Sequence, residues 1–113
     1  SPSDVPVDER CPLQIISARP AKQKLPVGQK VTLVKRAKTV AQCRLVVRQK
    51  ISRAQAIRGD VPRKVLIKVN KRTGKVTAVA STTGAKAKIR IQAVPVRAPY
   101  NASSSVWTRT WRS

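Results

Sequence analysis

The feature that most constrains the fold is a strict alternation of apolar and polar residues along residues 85–93. Successive side chains of a β-strand point to opposite faces of the sheet, so this pattern predicts a strand that is buried on one face only. We expect the buried face to consist of Ala85, Ala87, Ile89, Ile91 and Ala93. The exposed face would be basic, because it carries Lys86, Lys88 and Arg90.

The segment just before this strand predicts a β-hairpin over residues 64–81. The stretch KVLIKVN alternates in the first arm, and KVTAVAS returns in the second arm. The turn between them, NKRTGK, contains Gly74, which tolerates the positive φ that tight turns often require. Lys64 and Lys68 would lie on the outer face of this hairpin.

Other segments with β character lie near both ends of the chain. CPLQIIS, KVTLV and AQCRLVVRQK precede the hairpin, and the alternating run VWTRTW closes the sequence. A short helical turn is expected before Gly59, where Pro62 prevents its extension. Seven short strands separated by Pro and Gly turns predict one all-β domain, either a sandwich or a small barrel. We favour a single antiparallel β-sandwich over residues 11–113.

The first ten residues, 1–10, are acidic and differ from the rest of the chain. They hold three of the four acidic residues, Asp4, Asp8 and Glu9. This segment either frays or folds back onto basic residues, and we prefer a flexible terminus. The chain contains no Met and begins SPSDVPVDE, which favours a secreted, mature protein whose leader has been removed.

The two cysteines, Cys11 and Cys43, each share a predicted strand face with aliphatic residues. An even pair in an exported protein favours a disulfide, here a bridge between strands through the core. Closing a loop of this length would stabilise the fold by roughly 3 to 4 kcal/mol. The alternative is two buried free thiols in a cytosolic protein. Two cysteines without histidine cannot complete a zinc shell, so we expect no metal site.

The order of these segments resembles the bacterial immunoglobulin-like domains of secreted proteins. The resemblance covers about residues 11–112 and rests on PVGQKVTL, on the hairpin KVNKRTGKVTAVA and on a closing strand, SSSVWTRTW, that follows Tyr100. It implies an immunoglobulin-like sandwich and no particular function. The sequence departs from antibody-type domains, because no Trp lies between the two cysteines and their spacing is short.

The formal net charge of +21, from 25 Lys and Arg against 4 Asp and Glu, points to an anionic partner. Nucleic acid, anionic membrane and acidic envelope polymers are the candidates. Nonspecific nucleic-acid binding in vitro is expected, although three aromatic residues provide few platforms for stacking bases. No apolar run approaches the roughly 18 residues of a membrane span, so we expect no transmembrane segment.

Enzyme classes lack the residues that they need. The chain has no His, its cysteines are expected in a disulfide, and Asp60 is the one acid beyond the first ten residues. Nucleophilic triads, free thiol nucleophiles and paired carboxylates are therefore excluded. We expect a protein that is not an enzyme, with no catalytic residue and no cofactor.

The first candidate binding site is a basic stripe on the outer strand faces. If the hairpin pairs with the alternating strand, the stripe is continuous and binds an anionic partner. Its members would be Lys64, Lys68, Lys75, Lys86, Lys88 and Arg90. The alternative is a merely solvated face that protects strands from aggregation. We favour binding, because a soluble surface normally mixes both signs of charge and this one carries no acid.

The second candidate is the face of the last strand that carries Trp107, Arg109 and Trp111. Either both indoles cover the core, or they form an exposed ladder at a membrane or sugar surface while Arg109 binds an anion. Taken together, these features predict a secreted cationic protein that acts on anionic bacterial cell-envelope components, with an antibacterial or bacteriocin-like factor as its most specific form. A nucleic-acid-binding protein and an immunoglobulin-like structural or adhesion module are the alternatives.

Overall fold

Seven β-strands make up the computed structural model, which describes residues 9–51 and 64–113. In chain order they are β1 (Gln14–Ala18), β2 (Lys30–Lys38), β3 (Cys43–Ile51), β4 (Val65–Val69), β5 (Val76–Ala80), β6 (Lys86–Pro95) and β7 (Trp107–Arg112). The described residues contain no helix, and thus none with the length and apolar character needed to cross a membrane. The expected turn before Gly59 and the acids Asp4 and Asp8 lie outside the described residues.

The strands form two antiparallel sheets in a sandwich-like arrangement. One sheet has four strands in the order β1-β2-β5-β4, and the other has three in the order β3-β6-β7. Every pairing between these strands is antiparallel. The predicted all-β antiparallel class is therefore confirmed.

The core lies between the apolar faces of the two sheets. All five alternating residues of the segment 85–93 that were expected to be buried have at most 1 % of their surface exposed, which confirms the predicted strand. All of them except Ala93 belong to one buried cluster with Val65, Val76 and Ala78 of the predicted hairpin and with Leu33 of β2. Because every second residue of these strands is apolar, each sheet buries one face and leaves the other to solvent.

The hairpin of β4 and β5 is also confirmed, and its turn packs against β2. The Asn70 Oδ1 accepts hydrogen bonds from the backbone N–H groups of Arg72 and Thr73, at 3.0 and 3.3 Å. Gly74 has a φ of +73°, and a Cβ placed there would lie 2.5 Å from the Ala37 Cβ. The Ala37 N–H donates to the Thr73 carbonyl oxygen at 2.9 Å. The tip of the hairpin is therefore held on β2.

The predicted disulfide between Cys11 and Cys43 is confirmed, and it joins the two sheets at one end. Cys11 lies just before β1 rather than within a strand, while Cys43 is the first residue of β3. Both cysteines pack with Ala93 in a small second cluster of buried residues, against which Tyr100 also packs. Nearby, the Glu9 carbonyl oxygen accepts the Asn101 and Ala102 N–H groups at 3.0 and 3.2 Å.

Candidate functional site

The predicted continuous basic stripe is wrong, because the hairpin and β6 belong to different sheets. β5 pairs with β2 and β4, whereas β6 pairs with β3 and β7. Lys64, Lys68 and Lys75 therefore lie on or beside the four-stranded sheet, apart from the basic residues of β6. Alternation assigns residues to the faces of a strand, but it does not identify the neighbouring strand.

The three-stranded sheet has instead a basic outer surface of its own, which we call the basic face. Its cations are the exposed Arg and Lys residues that share one side of β3, β6 and β7. They are Arg44, Arg48, Lys50, Lys86, Lys88, Arg90 and Arg112. Of these seven residues, the sequence predicts only Lys86, Lys88 and Arg90 as members of a binding site. The signal for the β3 residues was present in AQCRLVVRQK, but the pairing of β3 with β6 was not predictable from it.

Cations lie directly opposite cations on the basic face. Arg48 pairs with Arg90, and Lys50 pairs with Lys88, across β3 and β6. Residues in such positions have Cβ atoms about 4.5 to 5.5 Å apart, and like charges there destabilise a sheet. A third such pair, between Lys86 and Arg112, joins β6 to β7.

The immediate surroundings of these pairs can also hold an anion. A shallow depression of about 340 Å³ lies among Arg48, Lys50, Lys88 and Arg90. On the far side of β6, Thr110 lies opposite Lys88, and Thr108 lies opposite Arg90. Hydroxyl groups donate hydrogen bonds to anionic oxygens, so the charge pairs are flanked by further donors.

Acidic side chains are nearly absent from the described part of the chain, where Glu9 is the only one. Its backbone is bonded to Asn101 and Ala102 near the disulfide. Within residues 9–51 and 64–113, carboxylate side chains therefore cannot balance the charge of the basic face. The described side chains of that face carry charge of one sign, and such a surface concentrates anions from solution.

The tryptophan strand faces the core, not the solvent. Trp111 has none of its surface exposed, and its Nε1 donates to the Arg19 carbonyl oxygen at 2.9 Å. Trp107 is half-buried against the same core, with its ring centroid 6.3 Å from that of Trp111. The alternative in which both indoles cover the core is therefore supported, and an interface role for Trp111 is wrong.

Arg109 lies on this inner side of β7, away from the basic face. Its guanidinium carbon is 5.1 Å from the centroid of the Trp107 ring, and its Nη1 donates to the Arg19 carbonyl oxygen at 3.2 Å. This placement resolves how a cation fits between two indoles, because the ring face and the carbonyl oxygen both interact favourably with its charge. The sequence predicts that Arg109 binds an anion, but Arg109 does not belong to the basic face.

Comparisons with known proteins do not identify the site, so its geometry is the basis for interpreting it. No protein-family model matches the chain, and no curated protein or solved structure matches it significantly. Within the described residues both cysteines form the disulfide, and no three His, Cys, Asp or Glu residues cluster together. The basic face is therefore the principal candidate site.

Proposed function

We propose that this chain is a secreted cationic protein that binds the anionic surface of a bacterial cell envelope through its basic face. The observation that carries the proposal is the placement of Arg48 opposite Arg90 and of Lys50 opposite Lys88. Such pairs cost stability in the free protein. An anion held between the two cations of a pair removes that repulsion, so the cost is recovered as affinity when the partner binds.

The flat arrangement of the charges favours an extended anionic surface as the partner. Neighbouring strands lie about 4.8 Å apart, and alternate residues of one strand about 6.8 Å apart, so the exposed cations form a dense lattice. Long Lys and Arg side chains on one sheet face can all reach a plane of phosphate or carboxylate groups together. Because Trp111 is buried, insertion of the indoles into a bilayer is not part of the proposal.

In its most specific form, the proposal adds that the protein is secreted and acts against bacteria. The Cys11–Cys43 disulfide is compatible with an oxidising compartment. A protein that neutralises envelope phosphates with many cations releases the counterions held there, and we extend the proposal to inhibition of bacterial growth. The immunoglobulin-like module remains the related alternative, in which the same face only attaches the domain to a wall polymer.

Nucleic-acid binding is the second candidate, and the charge of +21 is the observation that favours it. The three aromatic residues of the chain are all buried or half-buried, so they offer no fully exposed rings for stacking bases. Binding to nucleic acid would therefore be independent of sequence and would depend on phosphate contacts alone.

The test measures binding of the protein to vesicles that contain phosphatidylglycerol, and to neutral vesicles, at increasing salt. The variant Lys50→Gln/Lys88→Gln removes one charge pair from the basic face, and Lys30→Gln/Lys68→Gln removes two exposed lysines from the other sheet. Each basic residue near an anionic surface contributes about 1 kcal/mol, so the first variant should bind about 30-fold more weakly. The second should bind nearly as well as the wild type.

Two results would contradict the proposal. Equal losses in both variants would mean that total charge, rather than the basic face, governs binding. Equal affinity for neutral vesicles would remove the anionic surface from the mechanism. In a third arm, duplex DNA competes with the vesicles, and tighter binding to DNA at physiological salt would favour the nucleic-acid alternative.

A further inference from the structure

A second concentration of positive charge lies at the disulfide end of the sandwich, in a cleft of about 500 Å³. Two stretches that are distant in sequence form its walls: residues 36–45, which run from the end of β2 to the start of β3, and the turn between β4 and β5. Of the residues that the structure describes, five cations and no acidic residue line it. They are Arg36, Lys38, Arg44, Lys71 and Arg72.

The walls of this cleft are held in place by contacts that do not depend on a ligand. The hairpin tip is fixed to β2 by the hydrogen bond from Ala37 N–H to Thr73 and by the close approach of Gly74. On the other side, the Thr39 Oγ1 donates to the Pro12 carbonyl oxygen at 2.7 Å. The disulfide at Cys43 anchors the start of β3. The cations are therefore presented from fixed backbone positions.

We propose that this cleft binds a phosphorylated sugar, with the phosphate held by the arginines and the sugar ring beside the apolar side chains of Val40 and Leu45. The guanidinium groups of Arg36, Arg44 and Arg72 suit phosphate, because each can donate two parallel hydrogen bonds to its oxygens. Val40 and Leu45 provide apolar surface beside them. The volume is within the range of pockets that enclose small ligands.

This inference goes beyond the proposed function, because the cleft opens at the end of the sandwich and shares only Arg44 with the basic face. A cleft that accepts a phosphorylated sugar would allow the protein to distinguish this ligand from other anions. The basic face, by contrast, responds to the density of charge. Each site can therefore be disabled while the other is left intact.

The test uses the full chain, labelled with nitrogen-15, and follows its amide signals during titration with glucose 1-phosphate, inorganic phosphate and glucose. Saturable shifts should concentrate at residues 36–41 and 71–74, with glucose 1-phosphate binding more tightly than phosphate and with glucose giving no shifts. Shifts that are spread over all basic residues, or that centre on β6, would overturn the inference.

Two arginine pairs serve as matched variants, since each lowers the net charge by two. Arg36→Gln/Arg72→Gln should weaken glucose 1-phosphate binding at least tenfold and leave vesicle binding within twofold of the wild type. Arg48→Gln/Arg90→Gln should do the opposite. Equal weakening of glucose 1-phosphate binding in both variants would contradict the cleft, whereas failure of the vesicle arm alone would contradict only the proposed function. Thermal unfolding of each variant checks that the fold is retained.

Discussion

The two sheets of the sandwich place their cations differently. On the four-stranded sheet, four cations lie directly opposite uncharged residues of the neighbouring strand: Lys38 faces Gln14, Arg36 faces Ile16, Lys30 faces Val79 and Lys68 faces Thr77. On the three-stranded sheet, Arg48 faces Arg90, Lys50 faces Lys88 and Lys86 faces Arg112. Like charges therefore occupy directly opposite positions on the three-stranded sheet but not in these pairs of the four-stranded sheet.

The overall charge alone does not require cations opposite cations, because the four-stranded sheet carries cations opposite uncharged residues. Cations opposite Thr or Val solvate a sheet and protect its edges equally well, and the four-stranded sheet carries cations in such positions. Like charges placed opposite each other each cost about 0.2 to 1 kcal/mol of sheet stability. The two pairs between β3 and β6 therefore lower the stability of the free protein, and the apolar side of the same sheet, which holds Trp111, stabilises the fold against this cost.

The largest expected effect concerns Trp111, which anchors the three-stranded sheet to the core. Trp111→Ala should lower the free energy of unfolding by about 3 to 5 kcal/mol, because it leaves a cavity and removes the hydrogen bond to Arg19. Trp107→Ala, at a half-buried position on the same strand, should cost clearly less. Urea unfolding measures both. A larger loss for Trp107→Ala would contradict the conclusion that Trp111 is the more deeply buried anchor of β7.

An intermediate effect is expected at the hairpin tip of the four-stranded sheet. Gly74 and Gly84 both have positive φ, but a Cβ at Gly84 would meet nothing within 4 Å. Gly84→Ala should therefore cost only the backbone strain, about 1 to 2 kcal/mol. Gly74→Ala should cost about 1 to 3 kcal/mol more, since its Cβ would overlap Ala37. Equal thermal unfolding midpoints for the two variants would refute the close packing of the hairpin tip on β2.

The smallest effect tests the comparison of the sheets itself. Lys50→Glu, on the edge strand β3, replaces the repulsion with Lys88 by an attraction. Lys68→Glu, on the edge strand β4 of the other sheet, lies opposite the uncharged Thr77 and gains no such attraction. Both changes lower the net charge by two. Unfolding in urea at low salt should show Lys50→Glu to be more stable than Lys68→Glu by about 0.2 to 1 kcal/mol, and the difference should shrink with salt. A difference of zero at low salt would remove the cost that we assign to the charge pairs.

Much of the fold was predictable because it depends on local alternation. The buried residues of β6 and the hairpin follow from period-two patterns, and the structure agrees with both. The disulfide follows from the even pair of cysteines, although Cys11 lies before β1 and not within a strand. The partition into sheets was not predictable in the same way. Alternation shows which side chains share a face of one strand, but the connection from Ala80 to Lys86, which moves the chain to the other sheet, has no signature in that pattern.

The candidate site was less predictable, because its geometry arises from contacts between distant segments. The pairing of Arg48 with Arg90 depends on the register of β3 against β6, which a single sequence does not specify. The position of Arg109 depends on the Arg19 carbonyl oxygen, 90 residues away. The sequence shows a cation between two tryptophans, but it shows neither that distant acceptor nor the contact with the Trp107 ring, which together accommodate Arg109 on the inner face of β7.

The central claim, that the basic face is the surface that contacts the anionic partner, is tested most directly by lysine footprinting of the wild-type protein. Acetylation rates of individual lysines are measured by mass spectrometry with and without phosphatidylglycerol vesicles. Lys50 and Lys88 should be protected severalfold, whereas Lys30 and Lys68 on the four-stranded sheet should react at nearly unchanged rates. Equal protection of the two sets, or protection confined to the four-stranded sheet, would contradict the account.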